Sequence, residues 1–347
     1  MKTIIAGKKS IGGNNPCCIS FEPSAGYSDI EGAKSMIKAT AVAGADAIKF
    51  QTFLPGDAKR LMAKDSLVKF STSTGKKEES IYEALKKREL TENEWRELIN
   101  YSKELGLLFI TTPVFIETVD FLVDTNVDLL KVSKGDVDNV LLIDYMAKSN
   151  IPIILDGREK FENVDIAIKI CEKNQNKNII ILHCPSGYPA ENAGVHLNTL
   201  QSIKEKYDYP IGFADHSPGG IMNYAAVALG SKMVEKTITP DKTIEHVEHF
   251  MSLEPTELKN FVENIRAIET AMGDSNIFLT SRVDASIRRG IVAKRDIQKG
   301  EKISLNSLDF QRPSTMGISC SDGFNVVSKK ATVNIPKNAF LKWDMLE

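Results

Sequence analysis

Residues 30–51 read IEGAKSMIKATAVAGADAIKFQ, and this stretch indicates the architecture because it contains one helix and one strand of a unit that the chain repeats. Its first part is amphipathic and closes on Gly44, a residue that suits the C-cap of a helix. The run ADAIKFQ that follows is short and apolar on both faces, as in a parallel strand covered by helices.

The same kind of apolar run occurs eight times, with helical stretches such as TENEWRELINYSKELG at residues 91–106 in between. Eight strand–helix units within about 250 residues predict an α/β protein with a (β/α)₈ TIM barrel, in preference to an open doubly wound sheet. The eight runs are CCISF before Glu22 and the segments 45–51, 107–113, 128–134, 151–157, 178–184, 210–216 and 232–238.

The composition is that of an ordinary globular protein, with 347 residues, 42% hydrophobic, 26% charged, and a net charge of -2. This charge balance argues against non-specific nucleic-acid binding, which needs a strong basic field. No apolar run reaches the roughly 18–20 residues of a membrane span, and we predict no signal peptide in MKTIIAGKKS. Five cysteines without a CxxC pair predict a cytoplasmic protein with neither a disulfide framework nor a cysteine zinc site.

The periodicity changes toward the C-terminus. We predict a TIM-barrel domain at residues 1–275, a linker at 276–287 and a small mostly-β domain at 288–347. Within the small domain, RDIQKGEKISLNSLDF weakly resembles TVNIPKNAFLKWDML, which indicates an internal repeat. The long barrel segment 54–80 is rich in Lys, Ser and Gly, and it is either a lid over the mouth or a disordered surface loop.

Polar residues fall mainly at the C-terminal ends of the eight runs. In a (β/α)₈ barrel these ends surround the active site, so we expect the side chains to converge on one mouth. Lysines around one cavity are costly to bury unless an anionic ligand or carboxylates offset them, and we expect a net positive mouth that binds an acidic metabolite. The strand-end residues are Glu22, Lys49, Gln51, Thr111, Thr112, Lys131, Lys134, Asp156, His183, Asp215, His216, Glu235 and Lys236.

Several strings occur in the same order as in one known family. They are GADAIKFQTF at 44–53, LLKVSKGDVDNVLL at 129–142, ILHCPSGYP at 181–189, IGFADHSPG at 211–219 and VEKTITPDK at 234–242. On these motifs the chain resembles the sialic acid synthase family, as a divergent member. Residues 288–347 look like the antifreeze-protein-like (SAF) domain that accompanies those barrels.

The resemblance implies an enzyme that joins phosphoenolpyruvate to an amino sugar or related aldose to give a nonulosonic acid. It also implies a homodimer in which the small domain crosses to the partner's mouth. Glu22 matches a glutamate that positions water or the sugar. The positions that hold phosphoenolpyruvate match Lys49, Gln51, Thr112 and Lys131. Further substrate contacts match Ser186, Tyr188, Glu248 and, from the small domain, Arg312.

The chain departs from the family pattern at the site itself. Gly26 and Tyr27 replace an Asn-His pair after the first strand. Three serines that cradle phosphoryl and carboxylate groups are replaced by Lys134, Asp156 and Ala214. We keep Lys134 and Asp156 as substrate-binding residues, because a paired gain of opposite charges suggests a rebuilt pocket.

The implied metal site is also changed. A divalent ion, Mn²⁺ or Mg²⁺, sits on two histidines in the family. His216 matches the first histidine, but Thr237 stands at the second position. A threonine hydroxyl is a weak ligand, and one protein histidine rarely holds such an ion alone.

Two other functions remain open from the sequence. Lys131 or Lys134, flanked by other cations, could have a lowered pKa and form a Schiff base with a keto donor, as in an aldolase. The replaced histidine and serines are also consistent with a non-catalytic barrel that binds a sugar or regulates a related synthase. Borohydride trapping, metal-dependent phosphate release, and sugar binding without turnover would separate the three functions.

Overall fold

A computed structural model describes residues 1–157, 161–273 and 286–347 of the chain. They belong to two compact units, Met1–Gly273 and Asp274–Glu347. Residues 276–285 of the predicted linker at 276–287 lie outside the described residues.

The first unit contains a closed barrel of eight parallel strands, β3, β4 and β7 to β12, which follow one another around the barrel in chain order. The last strand pairs with the first, with Thr237 opposite Glu22. The predicted TIM barrel and all eight predicted strands are confirmed. The strands of this unit are β1 (Thr3–Ala6), β2 (Lys9–Gly12), β3 (Cys18–Glu22), β4 (Ala47–Gln51), β5 (Leu67–Thr72), β6 (Gly75–Ser80), β7 (Leu108–Thr112), β8 (Leu129–Val132), β9 (Ile153–Asp156), β10 (Ile179–His183), β11 (Ile211–Asp215) and β12 (Met233–Thr237).

Helices follow the barrel strands, and their ends obey the sequence signals. Thr91 and Glu94 form a reciprocal capping box at the start of α4. Gly44 and Gly106, just beyond α1 and α4, have φ angles of 80° and 78°, as expected for helix-ending glycines. The helices of this unit are α1 (Ile30–Val42), α2 (Asp57–Leu61), α3 (Ile81–Lys86), α4 (Glu92–Glu104), α5 (Ile116–Asp124), α6 (Val140–Lys148), α7 (Phe161–Lys173), α8 (Thr199–Lys206), α9 (Ile221–Ala228) and α10 (Pro255–Met272).

No helix within the described ranges combines the length and the apolar character needed to cross a bilayer.

Side chains on the barrel strands alternate between the interior and the helical layer. On β4, Ala47 and Lys49 point inward, whereas Ile48 and Phe50 pack in the cluster that joins strands and helices. The lower interior is apolar, so the polar side chains are concentrated at the carboxyl end. Its side chains come from Cys18, Ala47, Leu108, Ile110, Leu129, Ile154, Ile180, Leu182, Ala214 and Met233.

The alternation corrects part of the predicted mouth, because four strand-end residues point outward. Thr111 Oγ1 lies 2.7 Å from Thr52 Oγ1, and His183 Nε2 lies 2.6 Å from the Val195 carbonyl oxygen. The other two outward residues, Asp215 and Lys236, form a fully buried ion pair of 3.0 Å between barrel and helices.

A hairpin at the N-terminus, absent from the sequence prediction, closes the lower end of the barrel. Strands β1 and β2 pair antiparallel, and Ile4, Ala6 and Ile11 pack in the same cluster as the lower interior. Gly7 forms the turn with a φ of 52°, and a Cβ there would lie 2.2 Å from an Asp128 oxygen. Only glycine fits this turn without a rearrangement.

Much of segment 54–80 is ordered secondary structure, so the prediction that it is a disordered surface loop is wrong. After α2, strands β5 and β6 form an antiparallel hairpin in which Leu67 pairs with Ser80 and Thr72 with Gly75. Phe70 is buried, whereas most of the remaining hairpin side chains are at least partly exposed.

The second unit has its own core and few regular elements. Strands β13 (Gly290–Ala293) and β14 (Leu308–Gln311) pair antiparallel, and α11 (Gly323–Val326) is a single turn. Isolated bridges supply most of the other pairing, as expected for a small mostly-β fold. The core contains Ile291, Ala293, Ile297, Ile303, Leu308, Ile318, Val326, Ala331, Ile335, Leu341 and Leu346.

The predicted internal repeat is visible in the backbone of this unit. Ile297 and Ile335, at equivalent positions of the two strings, face each other across a bridge. Three residues later, Gly300 and Asn338 both have positive φ angles, of 82° and 65°. The two copies therefore share a turn conformation that the sequence similarity anticipated.

The buried pair of Asp215 and Lys236 gives a stability prediction. Asp215 also accepts hydrogen bonds from Ser217 and Asn223, so Asp215→Asn keeps the shape but leaves the Lys236 ammonium uncompensated. We expect a loss of about 3–5 kcal/mol in the free energy of unfolding, measured by urea denaturation. The double variant Asp215→Asn/Lys236→Met should be more stable than the single variant. Equal losses in both variants would show that the uncompensated Lys236 ammonium is not the cause of the loss.

Candidate active site

The carboxyl ends of the barrel strands enclose a cavity of about 220 Å³. All predicted site residues line it except Ser186 and Arg312. Ser186 is exposed in the loop after β10, and Arg312 is exposed in the second unit. The described lining residues are Glu22, Lys49, Gln51, Thr112, Lys131, Ser133, Lys134, Gly135, Asp156, Cys184, Tyr188, His216, Glu235 and Glu248.

Two buried lysines of the cavity are each paired with a carboxylate. Lys49 on β4 donates to Glu22 on the adjacent strand, and Lys131 on β8 donates to Glu235 on β12. Strands β8 and β12 are four positions apart in the eight-stranded barrel, so this second pair spans its interior. Both lysines are nearly sealed from water, with exposed side-chain fractions of 3% and 7%.

Burial and pairing act differently on the two carboxylates. Burial raises the pKa of Glu22, and the Lys49 ammonium offsets this only in part. Burial would also raise the pKa of Glu235, but Lys131 and Lys49 together lower it to about 2. Glu235 therefore carries a fixed negative charge. Of the two carboxylates, Glu22 accepts a proton more readily.

The expected net positive charge of the mouth is wrong. The described lining residues include four carboxylates, from Glu22, Asp156, Glu235 and Glu248, and only three lysines. Burial lowers the pKa of His216 to about 4, so its imidazole is neutral near pH 7. The mouth offers lysine N–H donors beside carboxylates that offset their charge, because unpaired buried charges would be too costly.

An aromatic stack borders the cavity. The rings of Tyr188 and His216 are stacked with centroids 5.2 Å apart, and the Lys134 ammonium lies 5.3 Å from the centroid of the Tyr188 ring. Unlike Lys49 and Lys131, Lys134 takes part in no ion pair within the described ranges. It is thus the cavity lysine with the most freedom to bind an anion.

Arg88 is a site residue that sequence reasoning missed. Its guanidinium is buried and donates to Ser24 Oγ at 3.0 Å and to Glu248 Oε2 at 3.2 Å. Burial would raise the pKa of Glu248, but the Arg88 charge lowers it. Arg88 belongs to the basic run 86–88, and nothing in that run distinguishes it from its lysine neighbours.

The hairpin of β5 and β6 is connected to two loops of the mouth. The Ser71 amide donates to the Tyr188 carbonyl oxygen at 3.1 Å. Glu79 pairs with His246 at 2.6 Å and accepts a hydrogen bond from the Val247 amide at 2.8 Å. These contacts connect the hairpin to the segments that carry Tyr188 and the neighbouring Glu248. Among the described residues, none of segment 54–80 lines the cavity, so the lid stays a prediction.

The donor set of the mouth does not fit the implied divalent metal. The described residues contain no group of three His, Cys, Asp or Glu side chains placed to hold an ion. Near His216, the Glu235 carboxylate is already bound to the Lys131 ammonium, and Thr237 offers an uncharged hydroxyl. Catalytic zinc takes three protein ligands, and magnesium prefers carboxylate oxygens.

The geometry also argues against Lys131 as a Schiff-base nucleophile. Burial alone would lower the pKa of Lys131, but the Glu235 and Glu22 carboxylates outweigh it and raise the pKa above its ordinary value. An amine must lose its proton to attack a carbonyl carbon. Lys131 therefore acts here as a charged hydrogen-bond donor.

Comparison with known proteins adds independent findings. A model of the NeuB family matches residues 36–277, and a model of the SAF domain matches residues 288–347. The chain is 31% identical over 353 residues to an N,N'-diacetyllegionaminic acid synthase of Legionella pneumophila, covering 99% of this chain and 98% of that protein. It is 34% identical over 321 residues to the enzyme of that name in Campylobacter jejuni, covering 90% and 95%.

A solved structure has the same fold as this chain. It is an N-acetylneuraminic acid (sialic acid) synthetase from Leptospira borgpetersenii in complex with citrate, with a TM-score of 0.71 and 30% identity. The match covers 82% of this chain and 94% of that one.

A buried histidine near the mouth predicts acid sensitivity. His249 lies 2.6 Å from Thr239 Oγ1, and burial lowers its pKa to about 4. Since the unfolded chain then binds more protons below about pH 6.5, stability is full above that pH and is lost as the pH falls toward 4. In His249→Gln, we expect the stability lost between pH 7.5 and pH 5 to be about 2 kcal/mol smaller than in the unmodified protein.

Urea denaturation at the two pH values measures this difference. The exposed His196 provides the control, because His196→Gln should leave the loss unchanged. An unchanged loss in His249→Gln would contradict the assignment.

Proposed function

The chain belongs to the NeuB family, and on this basis we propose that it condenses phosphoenolpyruvate with an amino aldose to give a nonulosonic acid. A nonulosonic acid has nine carbons, so the three-carbon donor requires a six-carbon aldose. The relatives named above are synthases of such acids, and they cover nearly the whole chain. The enzyme is accordingly a carbon–carbon bond-forming transferase of nonulosonic acid and polysaccharide biosynthesis.

The reaction balances as follows. The methylene carbon of phosphoenolpyruvate forms a bond to the aldehyde carbon, and the aldehyde oxygen takes up a proton and becomes a hydroxyl group. Water adds to the cationic carbon that bears the phosphate ester and loses a proton. The carbon–oxygen bond to phosphate then breaks, the remaining hydroxyl loses its proton, and a ketone forms. Such a site must position two substrates and a water, and stabilise developing charge.

The observation that carries this proposal is the convergence of Glu22, Lys49 and Lys131 in one buried cavity. Each ammonium group has three N–H donors, and one carboxylate uses only one of them. The remaining donors can bind phosphate and carboxylate oxygens of phosphoenolpyruvate, together with Gln51 and Thr112. Glu22, with its raised pKa, suits a residue that positions water or the sugar and exchanges a proton.

The remaining site residues are assigned to substrate contacts. We assign Tyr188 and Glu248 to the sugar, and Lys134 and Asp156 to the rebuilt pocket, since all four line the cavity. Ser186 is assigned to substrate binding from its position in the motif alone. These roles rest on the matched positions and on the shared cavity.

We also propose a homodimer in which Arg312 of the small unit serves the mouth of the partner subunit. Support comes from the SAF match at residues 288–347 and from the exposure of Arg312. The five cysteines are free, in agreement with a cytoplasmic location.

A direct assay tests the proposed function. Purified protein is incubated with phosphoenolpyruvate and N-acetylmannosamine, or with 2,4-diacetamido hexoses, and phosphate release and the keto acid product are measured. We expect stoichiometric phosphate and keto acid with one of these aldoses. Sugar binding without turnover would favour the non-catalytic barrel, and a borohydride-trapped adduct would favour the aldolase.

The charge of Glu22 gives a specific prediction. Glu22→Gln keeps the volume but removes the charge and the proton-accepting group, so we expect turnover to fall at least about a hundredfold. The variant should still fold, because Glu235 and Glu248 also interact with the Lys49 ammonium. Circular dichroism checks the fold, and phosphate release checks the rate. Full activity would show that the charge is not needed.

Lys134 gives a second prediction. Lys134 forms no ion pair with the residues that the structure describes. If its ammonium binds the donor, Lys134→Gln should raise the KM for phosphoenolpyruvate about tenfold, a loss of about 1.4 kcal/mol, with little change in the KM for the aldose. Lys148→Gln is the control, since Lys148 forms only an exposed pair with Asp144 on α6. A change confined to the aldose KM would instead place Lys134 at the sugar.

A further inference from the structure

Three residues at the ends of β11 and β12 form one corner of the mouth, the His216 corner, which consists of His216, Glu235 and Thr237. The parallel register pairs Asp215 with Lys236, so His216 and Thr237, one residue further along, are lateral neighbours. Glu235 is two residues before Thr237 and therefore points to the same face of β12. The two positions at which the sialic acid synthase family carries its metal-binding histidines are thus adjacent here.

The corner contains buried polar atoms that lack hydrogen-bond partners. Within the described ranges, His216 Nδ1, Glu235 Oε2 and Thr237 Oγ1 are sealed from solvent and bind no other group. They supply one imidazole nitrogen, one carboxylate oxygen and one uncharged hydroxyl. Such unpartnered atoms mark a functional corner, and their chemistry limits what the corner can hold.

The charges around the corner leave no surplus negative charge for a divalent cation. The Glu235 carboxylate accepts a hydrogen bond from the Lys131 ammonium, which offsets its charge, and Glu22 is likewise paired with Lys49. Glu248, whose carboxylate also interacts with His216, is paired with Arg88. A divalent ion bound to Glu235 would lie beside the Lys131 ammonium, and both charges would be buried in a region of low dielectric.

We propose that the His216 corner holds no resident divalent cation, and that the Lys131 ammonium supplies the positive charge toward which the aldehyde oxygen of the aldose binds. This inference rests on the proposed function. Lys131 uses one N–H on Glu235 and keeps two, which allows it to contact the donor and the aldehyde together. The replacement of a histidine by Thr237 and the pairing of Glu22, Glu235 and Glu248 with cations then belong to one arrangement.

The experiment measures Mn²⁺ binding by electron paramagnetic resonance on the full-length protein after treatment with a chelator. We expect the unmodified protein to bind Mn²⁺ with a Kd on the order of 1 mM or weaker. Thr237→His restores the second imidazole and should tighten binding at least about a hundredfold. Thr256→His, an added histidine at an exposed position of α10, is the matched control and should change nothing.

A second variant tests the role of charge. Lys131→Gln removes the ammonium from Glu235, so Mn²⁺ should bind about tenfold more tightly than to the unmodified protein. Lys134→Gln removes a cavity lysine that is not paired with Glu235 and should have a smaller effect. Equal effects of the two variants would overturn the role given to Lys131.

Binding of one Mn²⁺ by the unmodified protein with a micromolar Kd would overturn the proposal, whatever the variants do. In the phosphate-release assay, condensation should continue in the presence of a chelator, and its loss with recovery on added Mn²⁺ would overturn the proposal as well. If no condensation occurs under any condition, the proposed function fails. The Mn²⁺ titration still decides what the His216 corner holds.

Discussion

The mouth of this barrel depends on the pairing of buried ammonium groups with carboxylates on other strands. Lys131 and Glu235 come from opposite sides of the barrel and meet in its interior, above the apolar layers. Removing either partner would leave a charge that the surrounding protein cannot solvate. The same pairing keeps the Lys131 ammonium charged and orients both lysines before any ligand arrives. The site therefore consists of preorganised donors, with little net field of its own.

Much of the fold could be predicted from the sequence, because the barrel strands are short, apolar and followed by helices with clear ends. The residues at the strand ends were also identifiable. Whether each one faces the interior or the helices depends on the two-residue alternation along a strand. Applied to DHS at 215–217 and EKT at 235–237, this alternation separates the inward His216 and Glu235 from the outward Asp215 and Lys236. Residue type alone cannot make that distinction.

Other features required the three-dimensional structure. The sequence places Glu22 and Glu235 at strand ends together with the lysines, but it does not show that each of these carboxylates binds a lysine ammonium or that Glu248 joins them from a loop. Arg88 reaches Glu248 from a loop 160 residues earlier in the chain, and no local pattern marks such a contact. The hairpin of β5 and β6 was ambiguous because its polar, Lys-rich sequence resembles that of a flexible loop. Contacts of this kind depend on the closure of the barrel, which brings distant loops together.

The hairpin of β1 and β2 has a consequence for the passage of small molecules. Because Ile4, Ala6 and Ile11 pack against the apolar lower interior, the described residues leave the carboxyl-end mouth as the opening to the cavity. Products therefore leave through the mouth by which substrates enter, and a bound product blocks the next substrate. The loops that carry Tyr188 and Glu248 therefore border the path of substrates and products alike.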